Sequence, residues 1–276
     1  MNAEELFRNI QKKKSYLCIG LDTDFSRIPK FLLEKEYPIF EFNKYIIDAT
    51  EDLVVAYKPN LAFYESMGAA GFMSLEMTIN YLRRHYPDIF IIADAKRGDI
   101  GNTSRLYANA YFKTLNCDAI TISPYMGFDS VGPFLESKGK WAIILALTSN
   151  EGSNDFQQQK NKENLPLYKA VIKKALTWGH VNNMMFVIGA TKAQEMQEIR
   201  KIIPEHFFLV PGVGSQGGKL EEVAEYGMND RCGLLVNASR SIIYADGTNK
   251  FEKAAREQAT VLQKEMELTL RSRNLI

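Results

Sequence analysis

Eight short apolar runs, each followed by a stretch long enough for a helix, are what most limits the folds open to this chain. They are YLCIGLD (16–22), VVAYKPN (54–60), FIIADAK (90–96), AITISP (119–124), WAIILALT (141–148), MFVIGA (185–190), FFLVPGVG (207–214) and GLLVNASR (233–240). Runs of this length that are apolar throughout are expected for strands buried on both faces, as in a parallel sheet. Between them, EFNKYIIDATEDL, SLEMTINYLRRHY, TSRLYANAYFKTL and LYKAVIKKALTWG carry apolar residues at helical spacing. Strand and helix alternating eight times predict an α/β fold, a parallel sheet closed into a (β/α)8 TIM barrel, with a final helix at 250–272 packed outside. An open doubly wound sheet is the alternative. The 276 residues show no shift of composition and no repeat beyond the βα rhythm, so residues 1–276 read as a single barrel domain.

Charge and cysteine content narrow the function classes. With 34 basic and 33 acidic side chains the net charge is +1, which leaves no field to hold a nucleic acid. No apolar run is long enough to cross a bilayer, and the opening MNAEELFRNIQKKK lacks the apolar core of a signal peptide. The expectation is a cytoplasmic enzyme acting on a small molecule. Cys18, Cys117 and Cys232 lie far apart in or beside apolar runs and read as buried reduced thiols. His85, His180 and His206 follow no ligand spacing, and no metal site is expected.

The strand ends are unusual. They offer Asp22, Lys58 with Asn60, Asp94 with Lys96, Ser123, Thr148 with Ser149, Gly212 with Gly214, and Asn237 with Arg240. Barrel enzymes assemble their sites from residues in such positions. In FIIADAKRGDIGNT (90–103), the two-residue period of a strand puts Asp94 and Lys96 on one side and Ala95 on the other, while Arg97-Gly98 begins the loop that carries Asp99. A lysine between two carboxylates stays protonated and fixed, which makes Lys96 a positioned proton donor. The glycines of PGVGSQGG (211–218) let backbone N–H groups approach an anion, and Arg240 can grip one with its planar fork. Plainer readings exist for each residue alone: Asp22 as a turn or helix cap, Lys58 as a surface lysine before a proline, the glycines as turn residues, Asp94 and Lys96 as a structural ion pair.

The segment DAKRGDIGNT (94–103) resembles the central motif of the orotidine 5′-phosphate decarboxylase family, and more closely that of its longer bacterial branch, type 2. GLD (20–22), YKPN (57–60), SPYMG (123–127), PGVGSQGG (211–218) and NASRSIIYA (237–245) occur in the family's order, so the resemblance runs from the first strand to the eighth. The resemblance implies a TIM-barrel lyase that converts orotidine 5′-monophosphate (OMP) to UMP, the last step of de novo pyrimidine biosynthesis, without a cofactor. It implies catalytic roles for Lys58, Asp94, Lys96 and Asp99, with Lys96 stabilising a carbanion at C6 and then protonating it. Asp22 and Lys58 would meet the ribose hydroxyls, and Ser149, or Thr148 one residue earlier, the pyrimidine edge. Gly212, Gly214 and Arg240 would take the phosphate, with Gln216 bridging phosphate and base. Asp99 and Thr103 would reach into a partner's site, giving a homodimer with shared active sites. The polar segment 149–166 is the candidate lid.

Two features depart from shorter family members: Gln216 is followed by Gly217-Gly218 where they carry a tyrosine, and the lid is longer. Three rival classes make different demands. A Schiff-base aldolase needs a neutral lysine, a metal-dependent sugar-phosphate decarboxylase would spend acids such as Asp94 on magnesium, and a non-catalytic nucleotide-binding protein would have no use for the charge array.

Overall fold

The computed structural model describes residues 1–213 and 217–276. Its strands are β1 (Leu17–Leu21), β2 (Ala56–Pro59), β3 (Phe90–Arg97), β4 (Ala119–Ile122), β5 (Trp141–Leu147), β6 (Met184–Ile188), β7 (Phe208–Pro211) and β8 (Leu234–Ala238). All pair in parallel and in chain order. The pairing of Leu17 with Val236, Cys18 with Asn237 and Ile19 with Ala238 joins β1 to β8 and closes the barrel. That ladder excludes the open sheet. Every strand meets side chains of the barrel interior on one face and the helix ring on the other, which is why the strand sequences carry so few polar residues before their last positions.

The outer ring comprises Pro38–Thr50, Gly68–His85, Gly101–Asn109, Phe128–Leu135, Leu167–Ala175, Ala193–Ile202, Leu220–Gly227 and Phe251–Ser272. The last buries Phe251, Ala255, Ala259, Met266 and Leu270, a stripe at helical spacing. Not anticipated from the sequence is a helix at Ala3–Lys13. A capping box starts it, Asn2 Oδ1 accepting the Glu5 N–H at 2.9 Å and Glu5 Oε2 accepting the Asn2 N–H at 2.7 Å. Leu6 and Ile10 on its inner face are fully buried, and Trp141 Nε1 donates to the Met1 carbonyl at 2.8 Å. The helix therefore covers the N-terminal end of β5, on the side of the barrel away from the polar strand ends.

Several boundaries differ from the sequence expectation for local reasons. β7 stops at Pro211 rather than 214, because Gly212 turns the chain at a φ of 98° that only glycine adopts freely. The helix expected over 103–115 begins at Gly101 and passes at Ala110–Thr114 into a π-helical turn. Segment 149–166 holds a short helix at Ser153–Phe156 and is folded against the barrel end. Cys18, Cys117 and Cys232 are buried free thiols, as expected. His206 is buried against Phe186, and burial first, then the charge of Arg200, lowers its pKa to about 4, so it is a neutral packing residue. No helix among the described residues is long and apolar enough to cross a membrane.

Candidate active site

The site begins with an irregularity in β3. Ala93 pairs with Ile120 and Arg97 with Ile122, so Asp94, Ala95 and Lys96 all lie opposite the single residue Thr121. Such a bulge bends the strand and re-aims its side chains. Lys96 sits at φ 46°, in the left-handed region that residues with a side chain seldom occupy. Asp94 and Lys96 do share a side, as the sequence predicts, but the plain alternation invoked for it does not hold: the bulge and the left-handed turn at Lys96 bring them together. On the outer side the Arg97 guanidinium donates to the Ala95 carbonyl at 3.0 Å, forms an ion pair with Glu65, and lies over the ring of Tyr107. The bulge is thus tied to the helix ring behind it.

Three charges meet at this point. Lys58 Nζ on β2 lies 2.8 Å from Asp94 Oδ2, and Lys96 Nζ lies 2.6 Å from Asp94 Oδ1. Lys58 and Asp94 are nearly inaccessible, their side chains 4% and 11% exposed, whereas that of Lys96 is 52% exposed at the open end of the barrel. Burial alone would favour the neutral Lys58 amine, yet the carboxylates of Asp94 and Asp22 outweigh it and raise its pKa above the ordinary lysine value. Burial likewise disfavours the Asp94 carboxylate, and the two ammonium groups more than offset this, holding its pKa well below the usual carboxylate range. Beneath them Cys18 points its thiol at Asn237 Oδ1, 3.6 Å away, and burial pushes its pKa up to about 12. Cys18 is no nucleophile.

Asp99 stands apart from this cluster within one chain. Its carboxylate accepts the Ile100 N–H at 2.7 Å and forms no ion pair with a described residue, so the four-membered array expected from the sequence has three members here. Thr103 lies exposed in the first turn of the helix Gly101–Asn109.

The remaining strand ends line the same mouth. Asp22 follows β1, and its Oδ1 is buried without a hydrogen-bond partner among the described residues, although the neighbouring backbone is held: Tyr244 Oη donates to the Asp22 carbonyl at 3.0 Å and accepts the Asp24 N–H at 2.6 Å. After β5, the Thr148 N–H donates to Gln157 Oε1 at 2.8 Å and Gln157 Nε2 donates back to Thr148 Oγ1 at 2.9 Å. Thr148 is thereby engaged with the 149–166 segment. Ser149 packs against Gly189 at the end of β6, where a Cβ would come within 2.6 Å of the Ser149 nitrogen. Gly212 accepts the Gly218 N–H through its carbonyl at 3.3 Å. Arg240 is exposed at the start of the short helix Arg240–Ile243 after β8, with no ion pair to a described residue. Gly214 and Gln216 lie outside the described residues.

Sequence reasoning missed Thr121, Tyr244 and Gln157. Thr121 is a β-branched residue inside AITISP and reads as an ordinary strand former. Its signal is only that it is the one polar side chain between Ile120 and Ile122. Tyr244 sits within NASRSIIYA, beyond the strand-end residues Asn237 and Arg240. Gln157 is one of three consecutive glutamines in a polar loop, and nothing in the pattern separates it from Gln158 or Gln159.

A closed parallel barrel whose polar strand ends gather a buried lysine, a carboxylate and a half-exposed lysine defines a TIM-barrel enzyme with its site at the C-terminal mouth. The family model for orotidine 5′-phosphate decarboxylase / HUMPS proteins matches residues 15–256, and the chain belongs to this family. An orotidine 5′-phosphate decarboxylase of Parabacteroides distasonis is 58% identical over 276 residues, all of this chain and 99% of that one. One from Phocaeicola vulgatus is 57% identical over 267 residues, 97% and 98% of the two chains. The solved structure of Leishmania donovani OMP decarboxylase superposes with a TM-score of 0.80 at 36% identity, covering 97% of this chain and all of that one.

Proposed function

We propose that this chain decarboxylates orotidine 5′-monophosphate to UMP, closing de novo pyrimidine biosynthesis, and that its Lys58–Asp94–Lys96 cluster performs the chemistry without a cofactor. The observation that carries the reading is the geometry of that cluster: one carboxylate with an ammonium group on each oxygen, at 2.8 and 2.6 Å, the second half-exposed where a substrate would sit. Loss of carbon dioxide breaks the bond between C6 and the carboxylate carbon, and the electron pair stays on C6 in an orbital that ring carbonyls delocalise poorly. A fixed cation beside C6 stabilises the charge as it develops, because it needs no reorganisation at that moment. Lys96 fills this role and then gives a proton to C6, forming UMP. Solvent returns the proton to the amine. Asp94 aligns the two lysines and faces the departing carboxylate.

The other residues bind. Asp22, whose buried Oδ1 has no hydrogen-bond partner among the described residues, and Lys58 take the ribose hydroxyls; Ser149 takes the pyrimidine edge; Gly212, Gly214 and Arg240 take the phosphate, with Gln216 between phosphate and base. Segment 149–166 closes over the nucleotide, so that binding energy at the phosphate supports chemistry at C6. The rival classes fit less well. A Schiff-base lysine has to be neutral, whereas the charges about Lys58 raise its pKa. Both oxygens of Asp94 are taken by ammonium groups, an arrangement made for cations of the protein rather than for magnesium. A binding protein has no use for two lysines on one buried acid. A cytoplasmic location and a single barrel domain over 1–276 belong to the same reading.

Loss of the orotate absorbance when purified protein meets OMP in the presence of EDTA tests substrate, reaction and metal independence together. Turnover is expected to persist. Tight UMP binding with no turnover would favour the binding protein, and activity abolished by EDTA the metal-dependent class.

The chain is further read as a homodimer whose Asp99 and Thr103 complete the neighbouring site. The separation of Asp99 from Lys96 within one chain and the exposure of Ile100 and Leu106 beside it support this. Mixing inactive Lys96→Ala and Asp99→Ala proteins is then expected to restore activity in hybrids, since one of the two sites would contain neither substitution. No recovery, with subunit exchange confirmed, would count against shared sites.

A further inference from the structure

We propose that Thr121 is a positioning residue for the decarboxylation, its hydroxyl locking the bulge of β3 so that the Lys96 ammonium is aimed and the Asp94 carboxylate held in one rotamer; this rests on the function proposed above. Thr121 Oγ1 accepts the Lys96 backbone N–H at 2.9 Å and donates to Asp94 Oδ1 at 3.0 Å. The amide N–H can only donate and the ionised carboxylate can only accept, so the hydroxyl accepts from the one and gives its single proton to the other. The direction of both bonds is fixed.

The bulge explains why this hydroxyl is needed. Asp94, Ala95 and Lys96 oppose Thr121 alone, and the ladder with β4 resumes only at Arg97. The Lys96 N–H is thereby removed from regular pairing, and the Thr121 hydroxyl replaces the missing carbonyl. The same bond holds Lys96 in its left-handed conformation, φ 46°, from which its side chain turns back onto Asp94 Oδ1 at 2.6 Å. Asp94 Oδ1 thus receives the Thr121 hydroxyl and the Lys96 ammonium together, while Oδ2 receives Lys58 at 2.8 Å. Thr121 is 1% exposed, so water does not substitute for it. The strand itself asks only for a β-branched shape at this position, and valine has that shape. What threonine adds is the oxygen.

Thr121 touches no reacting atom, and its removal acts through Lys96 and Asp94. Small errors in aim at a reacting centre cost rate far more than binding. Thr121→Val is expected to lower kcat for OMP by about 10- to 100-fold while KM and UMP affinity change by less than about threefold, and Thr121→Ser to recover most of the loss. A purely structural threonine would give the opposite pattern, with serine no better than valine. The same series includes the wild-type protein: wild type inactive on OMP overturns the function itself, whereas an active wild type with a valine variant losing less than about tenfold in kcat overturns the role of Thr121. A valine loss that serine does not recover overturns it too. Should the valine variant fail to fold, Thr121→Ser against Thr121→Ala carries the same comparison, with a large kcat gap between them expected and equal kcat values contradicting the proposal.

Discussion

Replacing Lys96 with alanine is expected to lower kcat for OMP by about 10²- to 10⁴-fold at the least, the range in which a positioned proton donor contributes, and by more because the same ammonium stabilises the anion it later quenches. Nucleotide binding should survive. Lys96 is the exposed member of the cluster, with its side chain 52% accessible, so its removal leaves no buried charge alone: Asp94 keeps Lys58 at 2.8 Å. Folding, followed by thermal melting, should therefore change little, and UMP should still bind measurably. The loss belongs to kcat rather than to KM, as it does for an interaction formed chiefly in the transition state. Retention of most of the activity would remove Lys96 from the chemistry.

Asp94→Asn should damage folding as well as activity. Asparagine has almost the same shape but no charge, and it strands the ammonium of Lys58, which is 3% exposed, with Asp22 as its remaining acidic neighbour. Removing one partner of a buried ion pair costs about 3–5 kcal/mol. Urea unfolding near neutral pH, compared with wild type, measures it. The pH dependence gives a second readout. The folded-state pKa of Asp94 is lowered, so its contribution is fully present above the unfolded carboxylate value, about 3.9, and is lost as pH falls through the folded value. The folded-state pKa of Lys58 is raised, so its contribution is present below about 10.4 and lost only as pH rises through the still higher folded value. Between these limits the pair makes wild-type stability flat. In Asp94→Asn the burial of Lys58 is no longer outweighed, its folded pKa drops below the unfolded one, and stability should climb as pH rises from 7 toward 10. A variant as stable as wild type, with an equally flat profile, would show that the pair is not buried as described.

The barrel is legible in the sequence because a parallel strand buried on both faces has no polar alternation to blur it, and all eight runs coincide with strands to within a few residues. Element ends are less legible, as at Gly212, where a glycine turns the chain after β7, and at Ala110–Thr114, where the helix passes into a π-helical turn with no mark in its periodicity. The helix Ala3–Lys13 does carry a sequence signal, the capping box of Asn2 with Glu5. At the site, the contact of Lys58, Asp94 and Lys96 follows from strand-end charges on neighbouring strands, which a βα rhythm forces to one end of the barrel. The means of contact does not follow. The bulge sets three residues of β3 against one of β4, and the Lys96 N–H there donates to Thr121 Oγ1, yet a threonine in a strand advertises nothing beyond its shape. Asp99, close to Lys96 in sequence, is the reverse case: nearness along the chain does not make it part of the cluster.

The most direct test of a cation at position 96 is to remove it and put it back by chemistry. Lys96→Cys, treated with 2-bromoethylamine, regains an ammonium on a side chain of nearly the same length. Position 96 is half-exposed, whereas Cys18, Cys117 and Cys232 are buried, so alkylation should fall on the new thiol, with mass spectrometry counting the added groups. The untreated variant should be inert toward OMP, and the aminoethylated one should recover at least about a hundredfold in kcat. Complete alkylation at residue 96 with no recovery of turnover would contradict the assignment of the charge and the proton to that side chain.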